Sequence, residues 1–405
     1  MAFRIATDFS RLRLAAIDYS KKMKYNRYLN KSTKNADEAD THGEKIVLIT
    51  NDCNQEGAPL LLQDIAKTLA DEGITLTIIS RRYGPLIVTL SEIGRVLVFR
   101  TKAKFRKIVK NLSEMRYNKV ICNTTVNGDL VKILKQNGFN VITLVHELPD
   151  AIKSLNIEAR ARELAIYSDV VVFPSEYVYK KFLSVTQVTS RHTIKPQGIP
   201  LVDNYIYDKK LAKVYLRDKY GIPISNRIII NVGFGSLRKG YDMFLTMAHL
   251  CKNENITFMR VGNNQQEIYQ NCLHKLGVKK LNNLVQTGFV DSPETLAFLY
   301  DASEVMALTS REDPYPSVVL HAFNYYTPVV AFKDAGGFSE IVTDDETGYL
   351  VEYGNYKKLL ETIENLIFDD TKLTMLSNNC REVAKKHNLK EYVDEIVGEL
   401  FEGQY

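Results

Sequence analysis

The sequence predicts an α/β protein made of two doubly wound parallel-sheet domains in series. Three observations support this fold class. The chain has 405 residues, which exceeds the roughly 250–300 residues at which a single core stops growing. From about residue 45 onward, short β-branched runs alternate with amphipathic helical segments. These runs are almost continuously apolar, as is typical of parallel strands that helices cover on both faces.

Twelve apolar runs predict the strands of the two sheets, because a helix between successive runs returns the chain to the same edge and makes the strands parallel. The first domain is predicted to contain strands at residues 45–50, 74–80, 95–100, 119–123, 140–145 and 169–174. The second domain is predicted to contain strands at residues 227–233, 256–262, 283–288, 304–310, 328–332 and 348–353.

This pattern divides the chain into four segments. The boundary between the domains is expected within residues 198–226, where Gly, Pro, Asn and charged residues mix ahead of a new first strand. The segments are a basic amphipathic extension with a linker at 1–44, a first domain at 45–205, a second domain at 206–388 and a helix at 389–405. The last helical pattern, LKEYVDEIVGELF, is expected to cross back onto the first domain.

The net charge of +5 conceals an uneven distribution. Residues 1–200 hold 31 basic and 20 acidic residues, whereas residues 201–405 hold 22 basic and 28 acidic ones. Two basic patches stand out, at residues 1–36 and 100–110. Such patches favour an anionic partner, either acidic lipid or polyphosphate. The alternative at each patch is a solvated basic face without a partner.

The first 44 residues contain apolar positions at helical spacing among basic residues, a pattern that can lie in a membrane interface. The alternative is a helix that packs on its own domain. The chain contains no run of about 18 apolar residues and no secretory signal pattern. We therefore expect a cytoplasmic protein, peripheral on the inner face of the cell membrane.

Several classes of protein are disfavoured by composition. The five cysteines are odd in number and never form a CxxC pattern, which argues against a disulfide framework or a zinc site. The basic runs lack an RNA- or DNA-binding signature and the second half is acidic, so no nucleic-acid partner is expected. The sequence does not indicate an oligomeric state.

Two motifs in the first domain could contribute to a ligand site, because ligands of doubly wound sheets bind outside the carboxyl ends of the strands. In NDCNQEGAPLLLQDIA, Gly57 and Ala58 open onto a helix, so a phosphate or sugar can approach backbone N–H groups. In LVHELPD, His146 and Glu147 end an apolar strand. Turn geometry at the first motif and a capping or supporting role at the second are the alternatives.

In the second domain, NVGFGSLRKGYDMFL combines a tight turn with two cations. Gly233 and Gly235 permit the turn, and Arg238 and Lys239 precede a helix. Arginine offers a bidentate fork and lysine a point charge, and the helix adds N–H groups, so the motif predicts a polyphosphate ligand. Its spacing does not fit a Walker loop.

The stretch SREDPYPSVVLHAF turns from a loop into a helix. Pro316 stiffens the approach, Ser317 is predicted to cap the helix, and seven residues separate Asp313 from His321. A second loop follows at GGFSE, with Gly337 and then Glu340. Two such loops beside a carboxylate can form a pocket for a sugar diol and a phosphate.

Taken in order, these motifs resemble a glycosyltransferase of the GT-B architecture, most similar to the retaining group called family four, or glycosyl transferases group 1. The resemblance covers about residues 45–400. It implies two Rossmann-like domains facing a cleft, and transfer of a sugar from a nucleoside diphosphate sugar to an acceptor with retained configuration. It implies no obligatory metal and no cofactor, and the chain contains no Asp-x-Asp pair.

The resemblance implies catalytic roles for four residues. Arg238 and Lys239 would bind the donor diphosphate, while His146 and Asp313 would contact the transferred sugar. Gly57 and Ala58 would lie beside the phosphates or the acceptor. The donor-binding residues it implies are Gly57, Ala58, Gly233, Gly235, Gly288, Phe289, Val290, Pro316, Ser317, His321, Gly337 and Glu340, with residues 288–290 facing the base.

One position departs from the family pattern. His321 stands where the family usually has a second carboxylate that holds the ribose hydroxyls. A carboxylate accepts from both hydroxyls, whereas a neutral imidazole offers one donor and one acceptor. We therefore expect a different ribose contact, a weaker donor affinity, or a compensating group such as Glu340. The alternative is that His321 packs under the loop without touching the ligand.

The sequence is compatible with three functions. The first is a glycosyltransferase that builds a surface polysaccharide on a saccharide or lipid-linked acceptor. The second is a non-catalytic GT-B subunit that stabilises a partner transferase, which the departure at residue 321 would suit. The third, a nucleotide-sugar epimerase, has no support beyond the general fold.

Overall fold

The computed structural model describes residues 20–32, 43–201 and 208–401. Part of the predicted amphipathic extension, residues 1–19 and 33–42, lies outside the described residues. So do residues 202–207 and the last four residues of the chain.

The first compact unit contains the described residues up to Pro196 together with the C-terminal helix. Its parallel sheet has seven strands in the order β3-β2-β1-β4-β5-β6-β7. The strands are β1 Lys45–Thr50, β2 Thr75–Ser80, β3 Arg95–Val98, β4 Lys119–Asn123, β5 Asn140–Leu144, β6 Val170–Phe173 and β7 Arg191–Ile194. The helices are α1 (20–32), α2 Gly57–Asp71, α3 Ile87–Ile93, α4 Lys102–Glu114, α5 Gly128–Gln136, α6 Pro149–Ser154, α7 Glu158–Tyr167, α8 Glu176–Phe182 and, at the end of the chain, α16 Leu389–Phe401.

The second compact unit, Gln197–Asn388, contains a parallel sheet of six strands in the order β10-β9-β8-β11-β12-β13. The strands are β8 Arg227–Val232, β9 Ile256–Val261, β10 Leu284–Gly288, β11 Val305–Leu308, β12 Val329–Phe332 and β13 Gly348–Val351. The helices are α9 Lys209–Tyr220, α10 Tyr241–Leu250, α11 Gln266–Leu276, α12 Pro293–Asp301, α13 Ser317–Asn324, α14 Tyr356–Leu366 and α15 Asp370–Lys385.

Burial on both faces explains why the strands are continuously apolar. In β1, Ile46 and Leu48 belong to one buried cluster, while Val47 and Ile49 belong to another on the opposite face. Successive side chains of a strand point to opposite faces, so a strand with helices on both sides must be apolar at every position. The predicted fold class is thereby confirmed: both sheets are parallel and helix-covered.

The last helix closes the first unit. Leu389, Tyr392, Val393 and Ile396 of α16 are buried in the same cluster as Leu62 of α2. The amphipathic spacing of these residues places them on one face of α16, and that face covers this side of the first sheet. The predicted crossing of the C-terminal helix onto the first unit is confirmed.

All twelve predicted strands are present, but β7 was not predicted. Its sequence, RHTI, is short, and none of its four residues is fully buried. An edge strand that helices do not enclose carries no apolar run, so the pattern used for the other strands could not find it. Among the described residues, no helix is both long enough and apolar enough to cross a membrane.

Candidate functional site

The turn from β8 into α10 brings the two predicted diphosphate ligands to the carboxyl edge of the second sheet. Gly240 ends this turn with φ +66°, and a Cβ there would lie 1.8 Å from the Thr309 carbonyl oxygen. The Thr309 hydroxyl in turn donates to the Gly240 carbonyl at 3.0 Å. Only glycine allows so close an approach. The contact between Gly240 and Thr309 holds the neighbouring Lys239 against the loop that follows β11.

Lys239 and Asp313 form an ion pair at this edge. Asp313 is 3% exposed and also accepts a hydrogen bond of 3.1 Å from the Ser310 hydroxyl. Burial lowers the pKa of Lys239, and the positive charge of Arg238 adds to this, while Asp313 raises it. Lys239 is therefore a desolvated cation, and among the described residues Asp313 is the carboxylate that pairs with it.

Arg238 lies beside this pair but points its charge outward. It is exposed, and its Nη1 donates to the Glu312 carbonyl at 2.8 Å. Its own carbonyl accepts from the Arg311 N–H at 2.8 Å. Arg311 is fixed by two hydrogen bonds of 2.7 Å to the carboxylate of Asp242, in the first turn of α10. The loops after β8 and β11 are thus tied together around the two cations.

The loop after β12 pairs with the loop after β11. Asp313 donates its N–H to the Ala335 carbonyl at 2.8 Å, and Gly337 donates to the Pro314 carbonyl at 2.7 Å. A Cβ at Gly336 would lie 1.7 Å from the Asp313 carbonyl oxygen, so this approach also requires glycine. The structure therefore brings Gly337 next to the Asp313 loop, and the exposed Glu340 ends the short 3₁₀ turn Gly337–Glu340.

Helix α13 corrects one local prediction. Its N-cap is Pro316, and no side chain caps the helix, whereas Ser317 is its first residue. The prediction of Ser317 as the cap is wrong because proline, with its fixed φ, already holds the extended conformation that the capping position requires. Ser317 remains half-buried at the helix start.

His321 lies one turn further along α13 and is half-buried. Burial lowers the pKa of His321 to about 4, so the imidazole is neutral at pH 7. Among the described residues, none forms a hydrogen bond with its ring nitrogens. A neutral ring with an open donor and acceptor is available to a ligand, and it differs from the carboxylate that the resemblance implies at this position.

The predicted base-facing segment, residues 288–290, begins at the last residue of β10. Gly288 has φ +71°, and its carbonyl accepts from the Gly262 N–H at 2.8 Å. Phe289 is 46% exposed, while Val290 packs partly against the core. The Gly233 loop reaches the same edge, because Gly235 donates its N–H to the Asn263 carbonyl at 2.8 Å. The loops after β8, β9 and β10 are therefore joined by backbone hydrogen bonds.

In the first unit, a single side chain joins the two predicted motifs. Asn123, the last residue of β4, donates from Nδ2 to the Ala58 carbonyl at 2.8 Å. Its Oδ1 lies 2.9 Å from Nε2 of His146. Because the amide nitrogen is the donor to Ala58, Oδ1 must accept, so Nε2 of His146 carries the proton and Nδ1 is left as an acceptor.

Burial fixes the charge state of this second group of residues. It lowers the pKa of His146 to about 4, so the ring is neutral at pH 7. Glu147 accepts from the backbone N–H groups of Thr125 at 2.9 Å and His146 at 3.2 Å. Burial raises the pKa of Glu147, and these hydrogen bonds oppose the rise. Glu147 thus orients the backbone at the strand end, and Asn123 orients the ring.

Gly57 and Ala58 are the first two residues of α2. A Cβ placed on Gly57 would meet no protein atom within 4 Å. Packing therefore does not require glycine here, and the space at this helix start is open to a ligand. Asn123 was missed from the sequence because an isolated asparagine at a strand end forms no motif, although its position at a carboxyl edge was a usable signal.

Each unit thus gathers its own predicted residues at the carboxyl edge of its own sheet. The second unit collects Gly233, Gly235, Arg238, Lys239, Gly288, Phe289, Asp313, Pro316, Gly337 and His321, and the first collects Gly57, Ala58 and His146. Among the described residues, no group of three or more His, Cys, Asp or Glu side chains is arranged to hold a metal ion.

Comparison with known proteins identifies the second unit. Residues 215–387 match the family model described as glycosyl transferases group 1. The amylovoran biosynthesis glycosyltransferase AmsD of Erwinia amylovora is 23% identical over 87% of this chain and 96% of its own length. Other curated relatives match over about half of their length, among them an uncharacterised glycosyltransferase of Haemophilus influenzae, 23% identical over 44% of this chain and 50% of its own.

Solved structures resemble the whole fold. Anabaena HepE, crystallised with UDP and glucose, gives a TM-score of 0.75 at 20% identity over 88% of this chain and 99% of its own. WaaG, a glycosyltransferase involved in lipopolysaccharide biosynthesis, gives 0.69 at 15% identity over 88% and 99%. The chain therefore has the GT-B fold, and its residues 215–387 match the model of the glycosyl transferases group 1 family.

Proposed function

We propose that this protein is a glycosyltransferase that moves a sugar from a nucleoside diphosphate sugar to an acceptor. The observation that carries the proposal is the paired Lys239 and Asp313 beside Arg238, within the segment that matches the family model. Lys239 and Arg238 supply the positive charge that a leaving diphosphate needs, and Asp313 supplies an acceptor for sugar hydroxyls.

The proposed chemistry proceeds with retention and without an obligatory metal ion. Arg238, Lys239 and the N-terminus of α10 stabilise negative charge as the diphosphate leaves. His146 offers Nδ1 to a hydroxyl of the transferred sugar, since its Nε2–H is engaged by Asn123. Activity that persists in excess EDTA supports the metal-independent part. An NMR assignment of the anomeric configuration in donor and product tests retention.

The donor we propose is a uridine diphosphate sugar. Support comes from the similar structure of HepE, which was crystallised with UDP and with UDP-glucose. Calorimetry with UDP-, GDP- and dTDP-sugars, followed by assays of donor hydrolysis, tests the choice. Binding of a GDP- or dTDP-sugar alone would overturn the base assignment but keep the reaction class.

The acceptor we propose is a lipid-linked saccharide used in surface polysaccharide synthesis. AmsD is named for amylovoran biosynthesis and WaaG for lipopolysaccharide biosynthesis, which supports an acceptor of this class. Incubation of the donor with lipid-linked acceptors and with free oligosaccharides tests it. Transfer to free oligosaccharides alone would contradict the lipid part.

We further propose that a basic surface of the first unit binds anionic membranes. Exposed basic residues of α1 lie near those of α4. Burial lowers the pKa of Lys104, and the nearby charges of Lys22 and Arg100 lower it further. Met23 of α1 is 60% exposed among them and can enter a lipid interface. The rest of the predicted patch at residues 1–36 lies outside the described residues.

Vesicle co-sedimentation tests this surface. Full-length protein should sediment with vesicles that contain phosphatidylglycerol and remain in solution with phosphatidylcholine alone. A chain carrying Lys22→Glu, Lys104→Glu and Lys107→Glu should bind more weakly. Exchanging the exposed Lys279, Lys357 and Lys358 for Glu on the second unit serves as the charge-matched control. Equal binding by both variants would contradict the proposal.

A non-catalytic subunit is the alternative function. The specific observation that favours it is His321, which stands where the family resemblance implies a carboxylate and whose neutral ring forms no hydrogen bond with the described residues. Such a subunit should bind no nucleotide sugar at millimolar concentration. The same calorimetric panel therefore separates the two functions.

A further inference from the structure

Arg260 is a fully buried cation at the edge that carries the diphosphate residues. It belongs to β9, and 1% of its surface is exposed. Among the described residues, no carboxylate lies within ion-pair distance of its guanidinium. An isolated buried charge is costly unless hydrogen bonds compensate it, so its partners should show what it does.

Its partners are backbone carbonyls of the Gly233 loop and the strand ends. Nη1 donates to the carbonyls of Asn231 at 3.1 Å and Val261 at 2.7 Å. Nη2 donates to the Gly233 carbonyl at 2.6 Å. The guanidinium also lies over the ring of Tyr241, 5.4 Å from its centroid, which favours the charged form.

The hydrogen bond to Gly233 sets the orientation of one peptide plane. In a trans peptide, the carbonyl and the following N–H point in opposite directions. Since the Gly233 carbonyl points inward to Arg260, the N–H of Phe234 points away from the core. Among the described residues, none accepts a hydrogen bond from this N–H, and the Phe234 side chain is 53% exposed.

Two glycines make this orientation possible. Gly233 has φ +133° and Gly262 has φ +116°, values that residues with a side chain rarely adopt. A Cβ on Gly262 would lie 2.0 Å from the Gly233 carbonyl oxygen. The space into which the carbonyl turns is thus kept open for Arg260.

The electrostatics point to the same ligand as the peptide geometry. Lys239 is influenced by the positive charges of both Arg238 and Arg260, and by one carboxylate, Asp313. Lys239, Arg238 and Arg260 are opposed by the carboxylate of Asp313, and Arg311 is already paired with Asp242, so an excess of positive charge remains at the edge. An anion with two or more negative charges would balance it.

We infer that Arg260 is a positioning residue of the diphosphate site, which turns the Gly233–Phe234 peptide so that the Phe234 N–H can bind the donor diphosphate. This inference rests on the proposed function. Arg260 contributes its charge from below the loop, while Arg238, Lys239 and the Phe234 N–H face the anion. A purely structural role would leave anion binding unchanged.

The test uses inorganic pyrophosphate as the probe on the full-length protein. Arg260→Met should weaken pyrophosphate binding by about tenfold or more, because the variant loses a positive charge and the charge-assisted hydrogen bond that orients the Gly233 carbonyl. Arg227→Met is the control, since Arg227 begins β8 at the opposite edge of the same sheet. Its pyrophosphate affinity should match the wild type.

A spectroscopic signature separates positioning from stability. In the wild type, pyrophosphate should shift the amide resonance of Phe234 in a ¹⁵N–¹H spectrum, and in Arg260→Met that shift should be absent. Arg260→Lys keeps the charge but cannot bridge the same carbonyls. It should fold and show an intermediate affinity, and it decides the question if Arg260→Met does not fold. Wild-type affinity together with the Phe234 shift in Arg260→Lys, or in a folded Arg260→Met, would overturn the inference.

Failure of the inference about Arg260 can be distinguished from failure of the proposed transferase function. If pyrophosphate binding depends on Arg260 but no nucleotide sugar is turned over, the site binds diphosphate and the transferase proposal fails. If sugar transfer is observed and Arg260→Met binds pyrophosphate normally, the transferase proposal stands and Arg260 has no positioning role.

Discussion

The ammonium group of Lys239 is paired with the carboxylate of Asp313, which is almost fully buried and has the Ser310 hydroxyl as its other side-chain partner. The pair joins the turn after β8 to the loop after β11. In the unliganded protein Lys239 is already paired with Asp313. An anion that binds Lys239 must therefore compete with Asp313.

This competition predicts opposite effects of two substitutions on anion binding. Asp313→Asn should tighten pyrophosphate binding severalfold, because Lys239 is released, while sugar transfer should fall about a hundredfold or more if Asp313 contacts the sugar. Lys239→Met should weaken pyrophosphate binding at least tenfold. Calorimetry and an assay of nucleoside diphosphate release measure both. Weaker anion binding in both variants would show that the pair acts only as a structural unit.

Asn123→Ala should separate chemistry from donor binding. Loss of Asn123 leaves the Ala58 carbonyl and His146 without their partner, so we expect kcat to fall at least tenfold and the protein to lose about 1–3 kcal/mol of stability. Pyrophosphate affinity should not change, because its proposed ligands lie in the second unit.

Asn137→Ala is the matched control for that substitution. Asn137 donates to the Ile133 carbonyl at 2.8 Å at the end of α5. It precedes the amino end of β5, whereas His146 follows the carboxyl end of that strand. It should lower stability without lowering kcat. Equal losses of kcat in both variants would remove Asn123 from the proposed site.

The two half-buried histidines, His146 and His321, predict a loss of stability in acid. The pKa of His146 and of His321 is about 4 in the folded protein, against 6.5 as the ordinary value. Between these values the unfolded chain binds protons that the folded chain does not. The contribution is therefore fully present above pH 6.5 and is lost as the pH falls toward about 4. It amounts to at most about 3 kcal/mol for each histidine.

Urea unfolding between pH 7.5 and 4.5 measures this effect. His321→Gln should show a smaller fall in the free energy of unfolding than the wild type across this range. The exposed His274 supplies a control, and His274→Gln should follow the wild-type curve. If the His321→Gln and wild-type curves are parallel, His321 is not held neutral by burial.

His321→Glu tests the altered family position. A carboxylate accepts from both ribose hydroxyls, so we expect UDP to bind about fivefold or more tightly, on the scale of a hydrogen bond to a charged group. Pyrophosphate affinity should stay the same, since it has no ribose. The gain should shrink with 2′-deoxy-UDP. Unchanged affinity for UDP and its deoxy analogue would place His321 outside the ribose site, as a packing residue.

The sequence predicted the layered α/β fold because burial on both faces leaves a direct signal, as in β1, where every position is apolar. It did not predict β7, whose edge position removes that signal. Lys239 and Asp313 were both singled out as candidates, yet their pairing depends on Gly240 and Gly336, whose close contacts arise only from tertiary packing. Arg260 escaped notice for a related reason: a single charge inside an apolar strand resembles a surface residue until its three carbonyl partners are seen.

The central claim is sugar transfer from a nucleoside diphosphate sugar, and the most direct measurement is the release of nucleoside diphosphate from a panel of UDP-, GDP- and dTDP-sugars with lipid-linked acceptors. The wild type should release the nucleotide from at least one donor, with the sugar recovered on the acceptor, in EDTA as in buffer. Lys239→Met should be slower by at least tenfold. Failure of the wild type to release nucleotide from any donor, together with no detectable binding of these donors at millimolar concentration, would contradict the account.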